Sequence, residues 1–146
     1  MCILRLLSGL LVLGIYVVAQ EPFPDPALNV PVERDLAGGT KHLYSLPALA
    51  GQYIQLVVEQ RGIDVLVVLF GPDGQQVLSV DSPNGTQGPE PVFLVTEFSG
   101  IYRLEVQALE KTAPPGRYEI RLLVQREATE KDRHRLAAIR NYNEAE

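Results

Sequence analysis

The chain has 146 residues, enough for one ordinary domain, and an apolar fraction of 46 %, which supports a packed core and excludes a disordered chain. Its net charge of −5 offers no basic face for nucleic acid and argues against an anionic membrane surface. The 12 glycines and 11 prolines exceed what a helical bundle carries and suit an all-β domain with many turns.

Residues 1–19 have the form of a secretory signal peptide. Arg5 precedes the uncharged apolar run Leu6–Ala19, and Val17 and Ala19 stand at the −3 and −1 positions of a cleavage site before Gln20. The run is shorter than the ~20 apolar residues a spanning helix needs. The single cysteine, Cys2, lies inside this leader, so the mature domain would rely on its core without a disulfide. These features predict an exported protein, periplasmic or extracellular, with no membrane insertion after cleavage.

Gln20–Asn29 alternates prolines with other residues and reads as an extended spacer. Val30–Leu36 and Lys41–Leu46 read as two strands joined by a Gly38-Gly39 turn, that is, a hairpin. A short device then recurs: Gly, one residue, Tyr, and a β-rich run. Its tyrosines are Tyr53, Tyr102 and Tyr118, and reuse of one turn-to-strand connection explains them better than three ligand sites. After Tyr102 and Tyr118 the apolar residues alternate with Arg103, Glu105, Arg117, Glu119 and Arg121, placing one face on a core and the other in water.

Val65–Phe70 is apolar at every position, the mark of a fully buried strand. Gly71-Pro72-Asp73-Gly74 is a turn, Gln75–Val80 returns, Asp81–Pro91 is a polar loop, and Val92–Thr96 is the next strand. The expected fold is an all-β antiparallel sandwich, jelly-roll-like, of about eight strands over residues 30–125. From Arg126 the pattern changes to helix formers with dense charge. Residues 126–146 read as a C-terminal helix with a thin apolar stripe at Leu136, Ile139 and Tyr142.

Several stretches together carry a family resemblance: GGTKHLYSLPALAGQYIQLVVEQRGIDVLVVLFGPDG, DSPNGTQGPEPV, SGIYRLEVQALE and GRYEIRLLVQREATEKDRHR. They resemble the pre-peptidase C-terminal-like β-sandwich domain found near the N-terminus of exported bacterial proteins. There the domain is typically followed by tetratricopeptide repeats and often a CHAT-type peptidase-like domain. The resemblance covers roughly Val30–Ala138 and implies a module associated with a helical repeat; a helix as short as 126–146 is marginal alone and is expected to pack on the domain, on a partner or on such a repeat. The repeats and the peptidase-like domain are not in this sequence, so their activity does not carry over.

No catalytic residue and no resident cofactor is assigned. His42 and His134 are too few for a zinc site and read as solvent-exposed. His42 and Ser45 lie on opposite faces of one strand by parity, which opposes a triad. Asn84-Gly85-Thr86 matches the glycosylation sequon but reads as a turn. Asp64, at the mouth of the buried strand, reads as pinning the following loop, by capping it or by pairing with Arg61. With Asp81, Asn84 and Glu90 it also forms a hard-oxygen calcium candidate. The exposed residues Arg103, Glu105, Arg117, Glu119 and Arg121 are the candidate interaction surface. The expected function is protein binding by an exported accessory module, with a calcium-stabilised carbohydrate-binding module as the alternative.

Overall fold

The computed structural model describes residues 21–22 and 30–143. In chain order the elements are β1 (Glu21–Pro22), β2 (Val32–Leu36), β3 (Lys41–Ala48), β4 (Gln52–Arg61), β5 (Val65–Phe70), β6 (Gln76–Val80), β7 (Gln87–Val95), β8 (Gly100–Ala108), β9 (Gly116–Glu127) and α1 (Glu130–Asn143). The signal peptide, most of the spacer and Tyr142's side chain lie outside the described residues. Among those described, no helix is long and apolar enough to cross a membrane.

The strands form two sheets, ordered β1-β3-β8-β5-β6 and β2-β9-β4-β7. The pairings are nested: β5 with β6, β4 with β7, β3 with β8 and β2 with β9, all antiparallel. One long hairpin whose innermost turn is Gly71–Gly74 has been rolled into two layers, which is a jelly roll. Among the described residues, β1 alone breaks the rule, pairing parallel to β3 at a sheet edge.

Composition explains the layering. Val65, Val67 and Leu69 of β5 face the core with no exposed surface. Their neighbour Val68 is 6 % exposed although it points the other way, because β5 lies between β8 and β6. In the second sheet β4 is central, between β9 and β7. Ile54, Leu56 and Val58 point inward, and Val57 is also buried on the outer face. Each such aliphatic side chain contributes about 1.5–3 kcal/mol by leaving water.

Three sequence expectations change. The Val30–Leu46 hairpin does not form: β2 pairs with β9 and β3 with β8, so the Gly38-Gly39 turn carries the chain from one sheet to the other. Alternation within a strand does not reveal its partner, and two adjacent strands fit either a hairpin or a crossing between layers. The polar loop after β6 is shorter than read, since Gln87–Pro91 already pairs with Val57–Arg61 in β7. The helix begins later, because Arg126 and Glu127 still pair with Tyr53 and Gln52 in β9.

Thr129 starts α1. Its Oγ1 accepts from the Asp132 backbone N–H at 3.3 Å, and Asp132 Oδ2 accepts from the Thr129 N–H at 2.8 Å. This is a reciprocal capping box with aspartate in place of the usual glutamate. Arg126 donates two hydrogen bonds to the same carboxylate, at 2.7 and 3.0 Å, while its guanidinium lies over the Tyr53 ring. Farther along, Arg135 lies over Phe93 of β7. The helix is thereby held on the outer face of the second sheet.

Candidate functional site

Eight alternating strands put four of their seven connections at one end of the sandwich and three, with the link into α1, at the other, and the two ends differ in chemistry. The first end gathers the turns after β2, β4, β6 and β8. It is tied by Gly38 N–H to Ala113 C=O, Leu109 N–H to Asp64 C=O and Gly62 N–H to Thr86 C=O. Gly116 opens β9 there because a side chain would collide with Gly62 and Ile63, about 2.7 Å from an added Cβ.

The centre of this end is Gln60, which sequence reasoning did not single out. It is fully buried. Its Nε2 donates to Asn84 Oδ1 at 2.5 Å, to Gly85 C=O at 2.8 Å and to Glu90 Oε1 at 3.0 Å. Two N–H bonds thus serve three acceptors. Its Oε1 accepts from Val65 N–H at 2.8 Å. Glu90, also fully buried, uses its second oxygen to accept from Ser82 N–H at 2.7 Å. One glutamine therefore ties β4, the start of β5, the β6–β7 loop and β7. The sequence carried a signal: Gln60 follows Leu56 and Val58 at core parity, where a polar side chain must find buried partners.

The calcium candidates are divided. Asn84 and Glu90 have their oxygens engaged by Gln60 and Ser82. Asp64 and Asp81 lie within electrostatic reach of one another and of Glu110. Burial first, and then those two carboxylates, raise the pKa of Asp64. Asp64 Oδ1 is buried without a hydrogen-bond partner, so Gln60, not Asp64, fixes the loop, and no Arg61–Asp64 ion pair is formed. Among the described residues, no group of three or more His, Cys, Asp or Glu side chains is placed to hold a metal ion.

The proposed surface residues are also separated. Arg103 and Glu105 lie on β8 in the first sheet, where Glu105 binds Lys41 at 3.2 Å and Arg103 at 3.3 Å, and Arg103 covers Phe70. Arg117, Glu119 and Arg121 lie on β9 in the second sheet. Arg117 pairs there with Glu33 and Asp35, and Arg121 with Glu119. Glu105, expected on the exposed face, is instead buried at 7 % exposure beneath Lys41 and Arg103, and the other four residues are split between the outer faces of the two sheets.

His42 is half-buried, not solvent-exposed as expected; its Nδ1 is 2.7 Å from the Tyr118 hydroxyl, which also meets Tyr44 OH at 2.5 Å. Burial and the bond with Tyr44 raise the Tyr118 pKa. His134 is exposed on α1. The recurrent tyrosines do three different jobs. Tyr53 lies under Arg126 on an outer face, Tyr102 donates to Phe98 C=O at 3.0 Å, and Tyr118 joins the His42–Tyr44 cluster.

The second end is apolar. It gathers the turns after β3, β5 and β7 and the start of α1, tied by Gly51 N–H to Thr96 C=O, Ala50 N–H to Ser99 Oγ and Ala128 N–H to Gly51 C=O. A cleft of about 370 Å³ opens there, lined by Pro47, Leu49, Gln52, Ser99, Ile101 and Gln125. Leu49 is 65 % exposed, Ile101 60 % and Phe98, beside Ser99, 56 %. Gly100 has φ +151°, and Pro72 lies 2.7 Å from where its Cβ would be. This brings the innermost turn of the roll up against the cleft.

The fold is that of a pre-peptidase C-terminal-like β-sandwich. The pre-peptidase C-terminal domain of a collagenase from Bacillus anthracis is similar over 75 % of this chain and 100 % of its own, with 18 % identity and a TM-score of 0.57. Two periplasmic inhibitors of g-type lysozyme share the architecture. The Aeromonas hydrophila protein is 16 % identical over 71 % of this chain and 96 % of its own, with a TM-score of 0.54. The Salmonella Typhimurium protein is 18 % identical over 74 % of this chain and 100 % of its own, also with a TM-score of 0.54. No protein-family model and no curated protein matches the sequence.

Proposed function

We propose that this protein is an exported, non-catalytic β-sandwich module that binds another protein through its apolar loop end. The observation that carries this reading is that Leu49 and Ile101, which line one cleft, and Phe98, which precedes the lining residue Ser99, are large apolar side chains left in water. Clustered exposed apolar surface on a folded domain marks an interaction site. Two proteins of the same fold are inhibitors of g-type lysozyme, so protein recognition is within its repertoire and a g-type lysozyme is the first partner to test. Export rests on the leader at residues 1–19, and N-terminal sequencing of the secreted protein tests it. α1, seated on β7, would orient a helical repeat or partner relative to the sandwich.

The carbohydrate reading finds less support in the strand tyrosines. Tyr44, Tyr53, Tyr102 and Tyr118 are all buried, which leaves no exposed tyrosine face on the strands for a sugar ring.

The test is binding and inhibition of purified g-type lysozyme, together with affinity capture from the source organism's envelope extract. Wild type is compared with a Phe98→Ser, Ile101→Ser variant of unchanged thermal stability. Loss of a defined partner by the variant supports the reading. A partner bound equally by both proteins places the interface elsewhere.

A further inference from the structure

The β6–β7 loop contains Asn84 followed by Gly85, a pair with a specific chemistry. The Gly85 backbone nitrogen can attack the Asn84 side-chain carbon Cγ, because glycine has no Cβ to obstruct the approach. A new C–N bond closes a five-membered imide. The Cγ–Nδ2 bond breaks, and ammonia leaves with the Gly85 amide proton. Solvent water then opens the ring at either carbonyl, giving aspartate or isoaspartate. No oxidant, reductant or enzyme is needed.

The fold holds both reacting partners. Asn84 is half-buried. Its Oδ1 accepts from Gln60 Nε2 at 2.5 Å and its Nδ2 donates to Pro89 C=O at 2.9 Å, so neither end of the amide is free to swing. The Gly85 carbonyl is held by the same Gln60 nitrogen at 2.8 Å, and Gly85 sits in a turn with φ +62°. We propose that Asn84-Gly85 is an imide-forming pair kept unreactive by Gln60, and that opening of the β6–β7 loop converts it irreversibly into a carboxylate that prevents the loop from closing again.

The second half follows from the same contacts. Gln60 Nε2 is shared between Asn84 Oδ1 and the buried carboxylate oxygen Glu90 Oε1. An aspartate at position 84 brings a second negative charge to the same donor. It also removes the Nδ2 donor, so Pro89 C=O loses its partner. Like charges around one buried nitrogen disfavour the closed loop. Isoaspartate adds a backbone atom between the two residues and so shifts the Gly85 carbonyl relative to Gln60 Nε2. Loop opening is thus recorded in covalent chemistry, and the first end of the sandwich becomes more acidic.

The experiment is peptide-mapping mass spectrometry of the full chain, following amide-to-acid conversion at Asn84 over time. Three samples are compared at the same pH and temperature: folded wild type, wild type unfolded in urea, and folded Gln60→Met, which keeps the side-chain length but removes the amide. Conversion is expected to be at least ~100-fold slower in the folded wild type than in urea. Gln60→Met is expected to speed conversion by about tenfold or more, equivalent to ~1.4 kcal/mol of lost protection. If folded and urea-unfolded wild type convert at the same rate, the protection is refuted, and this arm does not depend on the variant folding. If Gln60→Met folds and converts as slowly as wild type, Gln60 is not the guard. Hydrogen exchange on Asn84→Asp tests the consequence: faster exchange over residues 82–88 is expected, and wild-type exchange there would overturn the block on closing.

Discussion

Replacing Gln60 by alanine tests the architecture of the first end most directly. The side chain is fully buried and makes four hydrogen bonds. Two of its partners, Val65 N–H and Glu90 Oε1, have no access to water. Leaving a buried polar group unsatisfied costs about 1–3 kcal/mol, and more where the group is charged. Asn84 and Gly85 lie nearer the surface, where water replaces much of what is lost. The expected destabilisation is therefore about 4 kcal/mol, within the range for breaking a buried network. For a domain of this size that lowers the melting temperature by roughly 15 °C. The assay is urea and thermal unfolding followed by circular dichroism, with exposed Gln76→Ala on β6 as the control, expected within about 0.5 kcal/mol of wild type. A Gln60→Ala variant within about 1 kcal/mol of wild type at an unchanged m-value would refute the view that this residue fastens the loop to the core.

Hydrogen bonds from Arg126 and then Thr129 hold the Asp132 carboxyl well below the usual carboxylate range. A depressed folded pKa stabilises the clamp above the ordinary aspartate value near 3.9 and is lost as pH falls from there through the folded value. Hydrogen exchange in α1 should rise with acid in that window, and Arg126→Ala should release the helix at neutral pH while the sandwich keeps its unfolding transition. Gly100→Ala forces a Cβ against Pro72 in a backbone region that disfavours side chains, and should destabilise the domain by about 2 kcal/mol in the same unfolding assay. Because Asn84 and Glu90 are committed to protein partners, calcium and chelator should give melting temperatures that coincide. A clear rise with calcium would show that Asp64 and Asp81 recruit an ion from the loop side.

Much of the fold was legible because alternation is enforced residue by residue. Tyr102, Leu104 and Val106, and likewise Tyr118, Ile120 and Leu122, face the core as their parity requires. Val65–Phe70 and its glycine-proline turn identified the innermost hairpin, because a local turn fixes its own strand pairing. Partners farther apart in sequence were not legible. Whether β2 joins β3 or β9 depends on how the sheets close, and VERDL contains no sign of that choice. The polar site was misplaced for a related reason. A charge at a strand mouth draws notice, as Asp64 did, whereas a neutral glutamine at core parity does not. Yet burial without ionisation lets Gln60 serve four partners. The split of Arg103 and Glu105 from Arg117, Glu119 and Arg121 has the same origin: parity says outward, but not on which sheet.

The two ends of the roll differ in what they leave exposed. At the first end, backbone bonds between neighbouring connections and the Gln60 hub consume polar groups that a partner would otherwise use. At the second end, comparable bonds stabilise the turns themselves, through Thr96, Ser99 and Gly51, but the side chains left outside are Leu49, Phe98 and Ile101. More than half of the surface of each is in water, and that exposure costs hydration free energy in the isolated domain. A partner surface that covers them recovers it. α1 departs from this same end, since Ala128 bonds to Gly51 before Thr129 caps the helix. A protein bound at the cleft would thus lie beside the start of α1, which the Arg126–Asp132 clamp holds in place.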